Sequence, residues 1–198
     1  MKSPSATSVF GLGLFTGVFA LDQATKFWSR TVFSLPNGEP DYFKTLQVLG
    51  DWLQFRLVYN SGAAFGIRPQ NILPFLHPTL FYGLFSLAAI IILGIYFRKL
   101  APGDSASRIG IILILAGAAG NLIDRLCFHK VTDFIDAGIP GFFPRWPTFN
   151  VADSSVCIGM GILILFPMFA PRSKSAHSSN PPTPQDSSPA TISGPDAG

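Results

Sequence analysis

The residues that could do chemistry crowd into one stretch, GAAGNLIDRLCFHKVTDFIDAGIPGFFPRWPTFNVADS, from Gly117 to Ser154. It begins inside one apolar run, ends inside another, and carries Asp124, Arg125, Asp133, Asp136 and Asp153. An Asp or Arg at the centre of a membrane helix costs roughly 2.5–3.5 kcal/mol on insertion scales. Nearer the membrane edge the cost is smaller. Repeated placement of such groups marks a candidate site. Asp133 lies just beyond the first run and Asp153 just inside the next. Pro140, Gly141, Pro144 and Pro147 between them let the chain fold back, so the two carboxylates can meet. At about 3 Å apart they cannot both ionise, and the pair shares one proton. The ionised member takes a proton from water while the protonated one donates to a substrate carbonyl. That is aspartic-protease chemistry, without metal or covalent intermediate, and the pair titrates as a unit. The rival reading is that each Asp caps a helix, because an anion is favoured in a first helical turn. Burial alone ranks Asp124 above Asp133.

Four apolar runs must position these groups. The chain has 198 residues, 48% hydrophobic and 13% charged, with a mean hydropathy of +0.38. Soluble domains carry about 25% charged residues, so the deficit points to a membrane protein. The net charge of +3 comes from scattered basic residues, which argues against nucleic acid. His77, His129 and His177 share no ligand spacing, and no metal or nucleotide motif occurs. Cys127 and Cys157 read as small buried hydrophobes.

The runs predict an all-α membrane protein with four transmembrane helices, about 9–28, 78–97, 109–128 and 151–170. A cleavable signal peptide with its core at 9–21 is the alternative for the first. Against it, apolar character resumes after Asp22 and ends in Phe27 and Trp28, an aromatic pair suited to an interface. Asp22, Thr25 and Lys26 share one face there, and Asp22 and Lys26 are expected to neutralise each other. Asn121, Asp124 and Arg125 share a face near the end of the third run. Gly110, Gly117, Ala118, Gly120, Gly159 and Gly161 suit close helix packing in lipid. In the first outer loop, 29–77, the alternation of Leu53–Tyr59 predicts a strand in a small sheet on the membrane surface. The second outer loop is 129–150. Residues 171–198, rich in Ser, Pro, Ala and Gly, are expected to be a disordered tail.

Four spans put both termini on one side. Six Lys/Arg fall on each side, but Arg98, Lys99 and Arg108 concentrate in one short loop on the terminal side. The positive-inside rule then predicts cytoplasmic termini. Asp22, Asp124, Asp133 and Asp153 would all lie near the outer face.

The chain resembles lipoprotein signal peptidase (signal peptidase II), a bacterial four-span aspartic peptidase family. The resemblance rests on five ordered motifs. They are Asp22-Gln23-Ala24-Thr25-Lys26, Asn60-Ser61-Gly62-Ala63-Ala64-Phe65 and Gly120-Asn121-Leu122-Ile123-Asp124-Arg125, then Val131-Thr132-Asp133-Phe134 and Phe149-Asn150-Val151-Ala152-Asp153. It implies a single peptidase domain over 1–170 that cleaves prolipoproteins before a diacylglyceryl-modified cysteine. It implies that Asp133 and Asp153 are the catalytic pair. Asn60, Asn121, Arg125 and Asn150 line the substrate path or hold the pair. Asp22, Lys26 and Asp124 give structural support, with Asp124 holding Arg125 or the loop. Asp136 is left as a solvent-facing bystander. The expected setting is the bacterial cytoplasmic (inner) membrane, as a monomer among membrane lipids, with no cofactor, metal or nucleic acid. Ala118-Ala119 departs from a more glycine-rich family pair, and the 136–148 connection is idiosyncratic. A small transporter or proton relay would place acids at mid-depth and repeat its halves, and neither pattern is visible. A non-enzymatic assembly factor is the other rival.

Overall fold

The computed structural model describes residues 6–61, 77–101, 103–141 and 145–169. Gly62–Phe65 of the Asn60 motif and the expected tail at 171–198 lie outside the described residues. The four apolar runs form α1 (Ala6–Phe33), α2 (Pro78–Lys99), α3 (Ser105–Phe128) and α4 (Val151–Phe169). Three strands accompany them: β1 (Leu46–Gln47), β2 (Leu53–Asn60) and β3 (Val131–Ala137). The architecture is therefore mostly helical rather than all-α.

α1 continues five residues past its expected end at Trp28. The reason is an aromatic cluster. Trp28 packs edge-on against Phe33 (5.4 Å), Phe55 of β2 (5.7 Å) and Phe134 of β3 (6.3 Å). Helical geometry through Phe33 keeps its ring against Trp28, and Phe33 is buried. Edge-to-face pairs of this kind add to simple area burial.

α2 and α3 are long and apolar enough to cross a membrane, with mean hydropathy of 2.3 and 1.8 in their best windows. The apolar part of α4, Val151–Phe166, is shorter. α2 buries only Thr79 and Tyr82, and Leu84, Phe85, Ile91, Ile92 and Ile95 stand exposed. A charge-free surface of that kind suits hydrocarbon. α3 is the central helix and touches α1, α2 and α4. Its glycines set the approach to α4. A Cβ on Gly117 would collide with the Ala152 carbonyl, the Ser155 hydroxyl and Val156, and one on Gly159 would meet the Gly110 carbonyl. Gly161, expected to help, has nothing within 4 Å of a would-be Cβ. It lies off the contact stripe. Cys127 and Cys157 are exposed rather than buried, because both fall on outward helix faces.

The sheet is antiparallel in the order β1-β2-β3. Contrary to expectation, it is not built from the 29–77 connection alone, because β3 comes from the 129–150 connection. α3 ends at Phe128, and His129 takes a left-handed conformation (φ 58°) with its N–H bonded to Arg125 O at 3.1 Å. That conformation is uncommon for a non-glycine residue and reverses the chain at a helix C-terminus. The Thr79 hydroxyl of α2 donates to His129 O at 2.7 Å and holds the reversal. β3 starts two residues later. A one-residue bulge in β2 between Phe55 and Val58 shifts the register, so Phe55 faces Ile135 while Val58 faces Asp133.

Candidate active site

Two structural devices bring Asp133 and Asp153 together. Asp133 lies on β3, buried. Asp153 lies in the first turn of α4. Between them the chain returns to β3 at Phe149, whose N–H donates to Ile135 O at 3.0 Å and whose carbonyl accepts from Ile135 N at 2.8 Å. The next residue is Asn150, fully buried.

Asn150 joins the two carboxylates. Its Nδ2 donates to Asp133 Oδ1 at 2.7 Å, and its backbone N–H donates to Asp153 Oδ2 at 3.3 Å. Its Oδ1 accepts the backbone N–H of Asp153 at 2.8 Å. Side chain to backbone in both directions is the reciprocal capping arrangement of a helix start. The helix-cap reading and the paired-carboxylate reading are thus one geometry. Asp153 caps with Oδ2 and leaves Oδ1 to accept Asn121 Nδ2 at 2.8 Å. Asp133 Oδ2 accepts Asn60 Nδ2 at 3.2 Å from the end of β2.

Behind this pair sits a fully buried ion network. Lys26 Nζ lies 3.0 Å from Asp22 Oδ2 and 3.4 Å from Asp124 Oδ2. It also donates to Asn121 Oδ1 at 2.9 Å. Asn121 therefore relays the lysine to Asp153. Burying such charges is costly unless they are paired and hydrogen-bonded, and these are. Asp22 Oδ1 accepts the N–H of Ala152 at 2.9 Å, so α1 also caps α4. Asp124 does hold the loop, through Thr132 N–H at 2.8 Å. Its cations are Lys26 and Arg30, the latter 3.3 Å away, rather than the expected Arg125. The α-helical step from Asp124 to Arg125 turns the arginine to another face. There it donates to Asn121 O at 3.2 Å and sits over the Tyr82 ring.

Burial raises the Asp133 carboxyl from the ordinary value of 3.8 to about 7, and the neighbouring Asp153 charge adds to the rise. Hydrogen bonds from Asn60 and Asn150, and the Lys26 charge, oppose it. A carboxyl poised near neutrality is suited to general acid–base work.

Asp136 is not solvent-facing. It is fully buried, 2.8 Å from Arg56 Nε and 2.6 Å from Arg145 Nε, and it accepts Gln54 Nε2 at 2.8 Å. Strand alternation puts it on the face opposite Asp133, where the return segment covers it. Arg145 also donates to Asp51 O at 2.7 Å and to Asp136 O at 2.9 Å. This clamp fastens the return segment to the sheet, four residues ahead of Phe149. Sequence reasoning passed over Arg30, Arg56, Thr132 and Arg145. For Arg30 a signal existed: it stands one helical turn after Lys26, which itself follows Asp22 by one turn. For Arg56 and Arg145 none did, because Asp136 is far from Arg56 in sequence and meets Arg145 only when the return segment folds back.

The fold is helical, with helices of membrane-spanning length, and it brings a buried and a half-buried carboxylate into one hydrogen-bonded unit, the arrangement expected of a membrane aspartic peptidase. The family model for signal peptidase (SPase) II matches residues 14–169, and the chain belongs to that family. It is 40% identical over 146 residues to a lipoprotein signal peptidase of Moorella thermoacetica, covering 74% of this chain and 84% of that one. It is 34% identical over 165 residues to one from Syntrophus aciditrophicus, covering 83% and 94%. A solved structure described as a bacterial membrane enzyme obtained by the in meso method at 2.3 Å superposes with a TM-score of 0.66 at 30% identity, covering 80% of this chain and 87% of that one.

Proposed function

We propose that this chain is an intramembrane aspartic endopeptidase that removes signal peptides from prolipoproteins, cutting before a diacylglyceryl-modified cysteine, with Asp133 and Asp153 as its catalytic pair. The observation that carries the reading is Asn150, which bonds to both carboxylates at once. α1 to α4 are read as four spans, with both termini cytoplasmic and the site near the outer face of the bacterial cytoplasmic membrane. The peptidase domain spans 1–170.

In this mechanism one proton is shared by the pair. The ionised carboxylate takes a proton from a water molecule as its oxygen attacks the scissile carbonyl carbon. The protonated carboxyl donates to the carbonyl oxygen, giving a tetrahedral diol. Collapse of the diol breaks the C–N bond. The proton first taken from water passes to the departing cysteine amine, and a diol hydroxyl returns the other. Asn60 and Asn150 hold Asp133, and Asn121 with Asn150 holds Asp153, so little reorganisation is needed at the moment of reaction. A lipidated substrate stays in the bilayer with its scissile bond near the surface, where water is available.

The test is a gel-shift assay with diacylglyceryl-modified precursor and an unlipidated control. Asp133→Asn and Asp153→Asn are each expected to abolish conversion while the protein still accumulates in the membrane. Normal processing by either variant would defeat the assignment. Binding of precursor by the wild type without cleavage would favour an assembly role.

A further inference from the structure

A second concave site lies beside the α1–α3 pair. It is an open cleft of about 500 Å³ between the last turn of α1, the end of α3 and the outer end of β2. Such a volume falls within the range of ligand pockets. Phe27, Leu35 and Phe128 give it apolar walls, and Arg30 and Lys130 line it with positive charge.

Both cations are poised in an unusual way. Arg30 Cζ lies 4.2 Å from the centroid of the Phe128 ring, and Lys130 Nζ lies 3.6 Å from that of Tyr59. Arg30 makes both of its hydrogen bonds through Nη1, to Asp124 Oδ1 (3.3 Å) and Thr132 Oγ1 (2.7 Å). Its Nε and Nη2 donors have no protein acceptor among the described residues. The carboxylate nearest Lys130 is the exposed Glu39, at 3.8 Å. A loose surface pair at that distance is worth little. The cleft thus offers an ammonium over the Tyr59 ring and the unbonded Nε/Nη2 edge of a guanidinium that Asp124 anchors through Nη1 and the Phe128 ring orients.

The surroundings decide what such a cleft takes. Phe27 and Phe128 line it and stand exposed, on the two helices that end there. Aromatic residues at helix ends mark the membrane–water boundary. A forked guanidinium beside an ammonium suits the phosphate oxygens of a lipid headgroup at that boundary. We propose that the cleft between Arg30 and Lys130 binds the phosphate headgroup of an anionic glycerophospholipid, with an acyl chain lying along Phe27 and Phe128. The proposal rests on the membrane-spanning reading of α1 and α3, not on the catalytic assignment.

The purified chain is reconstituted in discs of phosphatidylcholine and in discs where phosphatidylglycerol replaces part of it. Lipids retained on release are counted by native mass spectrometry. One phosphatidylglycerol per chain is expected in preference to phosphatidylcholine. Lys130→Gln, at a half-exposed position outside the carboxylate site, is expected to lower that retention about fivefold, the effect of one basic residue near a membrane surface, with an unchanged unfolding temperature. Asp133→Asn is expected to keep the lipid while losing cleavage, so the two proposals fail separately. Equal retention of both lipids, or unaltered retention by Lys130→Gln, would overturn the site. So would inorganic phosphate alone binding as tightly as the lipid.

Discussion

Asp22 of α1 accepts the backbone N–H of Ala152 in the first turn of α4 at 2.9 Å. A helix start leaves several N–H groups without intrahelical partners. Here α1 satisfies one of them and Asn150 another. The carboxylate that does so also neutralises Lys26, so one buried residue ties α1 and α4 together.

Asp22→Ala should therefore act on folding. It strands the Ala152 N–H and leaves Lys26 with Asp124 as its remaining carboxylate. Removing one partner of a buried ion pair costs about 3–5 kcal/mol. Asp22→Asn keeps an oxygen for Ala152 and should lose less. Thermal unfolding in detergent, followed by loss of the monodisperse peak, ranks the two. Identical midpoints for wild type and Asp22→Ala would remove the capping argument.

Asn150 separates capping from bridging. Asn150→Ser keeps an oxygen suited to the helix cap but loses the Nδ2 donor to Asp133. It should fold near normally. Turnover should fall roughly tenfold to a hundredfold, the weight of a hydrogen bond to a charged group. Asn150→Ala should add a loss of stability of about 1 kcal/mol from the lost cap. Wild-type turnover by Asn150→Ser would mean that the bridge has no part in catalysis.

The raised pKa of Asp133 makes two pH predictions. The folded value, about 7, stands above the ordinary 3.8. The folded state therefore holds its proton more tightly than the unfolded chain does. This favours the native state fully below the unfolded value, and the advantage is lost as pH rises through the folded value. Asp133→Asn removes that dependence, so its unfolding midpoint should gain on the wild type between about pH 4 and pH 7. Turnover by the wild type should decline above about pH 7, as the pair gives up its shared proton. A difference in midpoint that stays flat with pH would contradict the shift.

Asp136→Ala tests the clamp. It leaves Arg56 and Arg145 without their buried carboxylate and frees the return segment that leads to Asn150. Both stability and turnover should drop, with the unfolding midpoint lowered by several degrees. Arg145→Lys keeps the charge but loses the fork that reaches Asp136 and Asp51 together. It should impair turnover more than its small loss of stability accounts for. Equal losses in both would mark the clamp as structural alone.

Helix packing offers an internal control. Gly117→Val should lower stability by about 1–3 kcal/mol, because the added atoms meet the α4 backbone. Gly161→Ala should be close to neutral, because open space surrounds that position. Both are read by the same unfolding assay.

Much of this was legible in the residue order. Apolar runs of bilayer length announce the helices because their length and composition are local properties. The alternation of Leu53–Tyr59 predicted β2, and the i, i+4 spacing of Asp22 and Lys26 predicted their contact at 3.0 Å. The motifs carried the family. Tertiary structure alone decided which distant groups share a pocket. Asp136 read as a bystander because its partners, Arg56 and Arg145, reach it only after β2 pairs with β3 and the return segment folds back. The third strand was missed for the same reason, since a strand needs its neighbour to bond. Asp153 read as either a cap or half of a pair, and only the buried position of Asn150 made it both. Periodicity is written in neighbouring residues. Charge compensation across a buried interface depends on what the fold brings near.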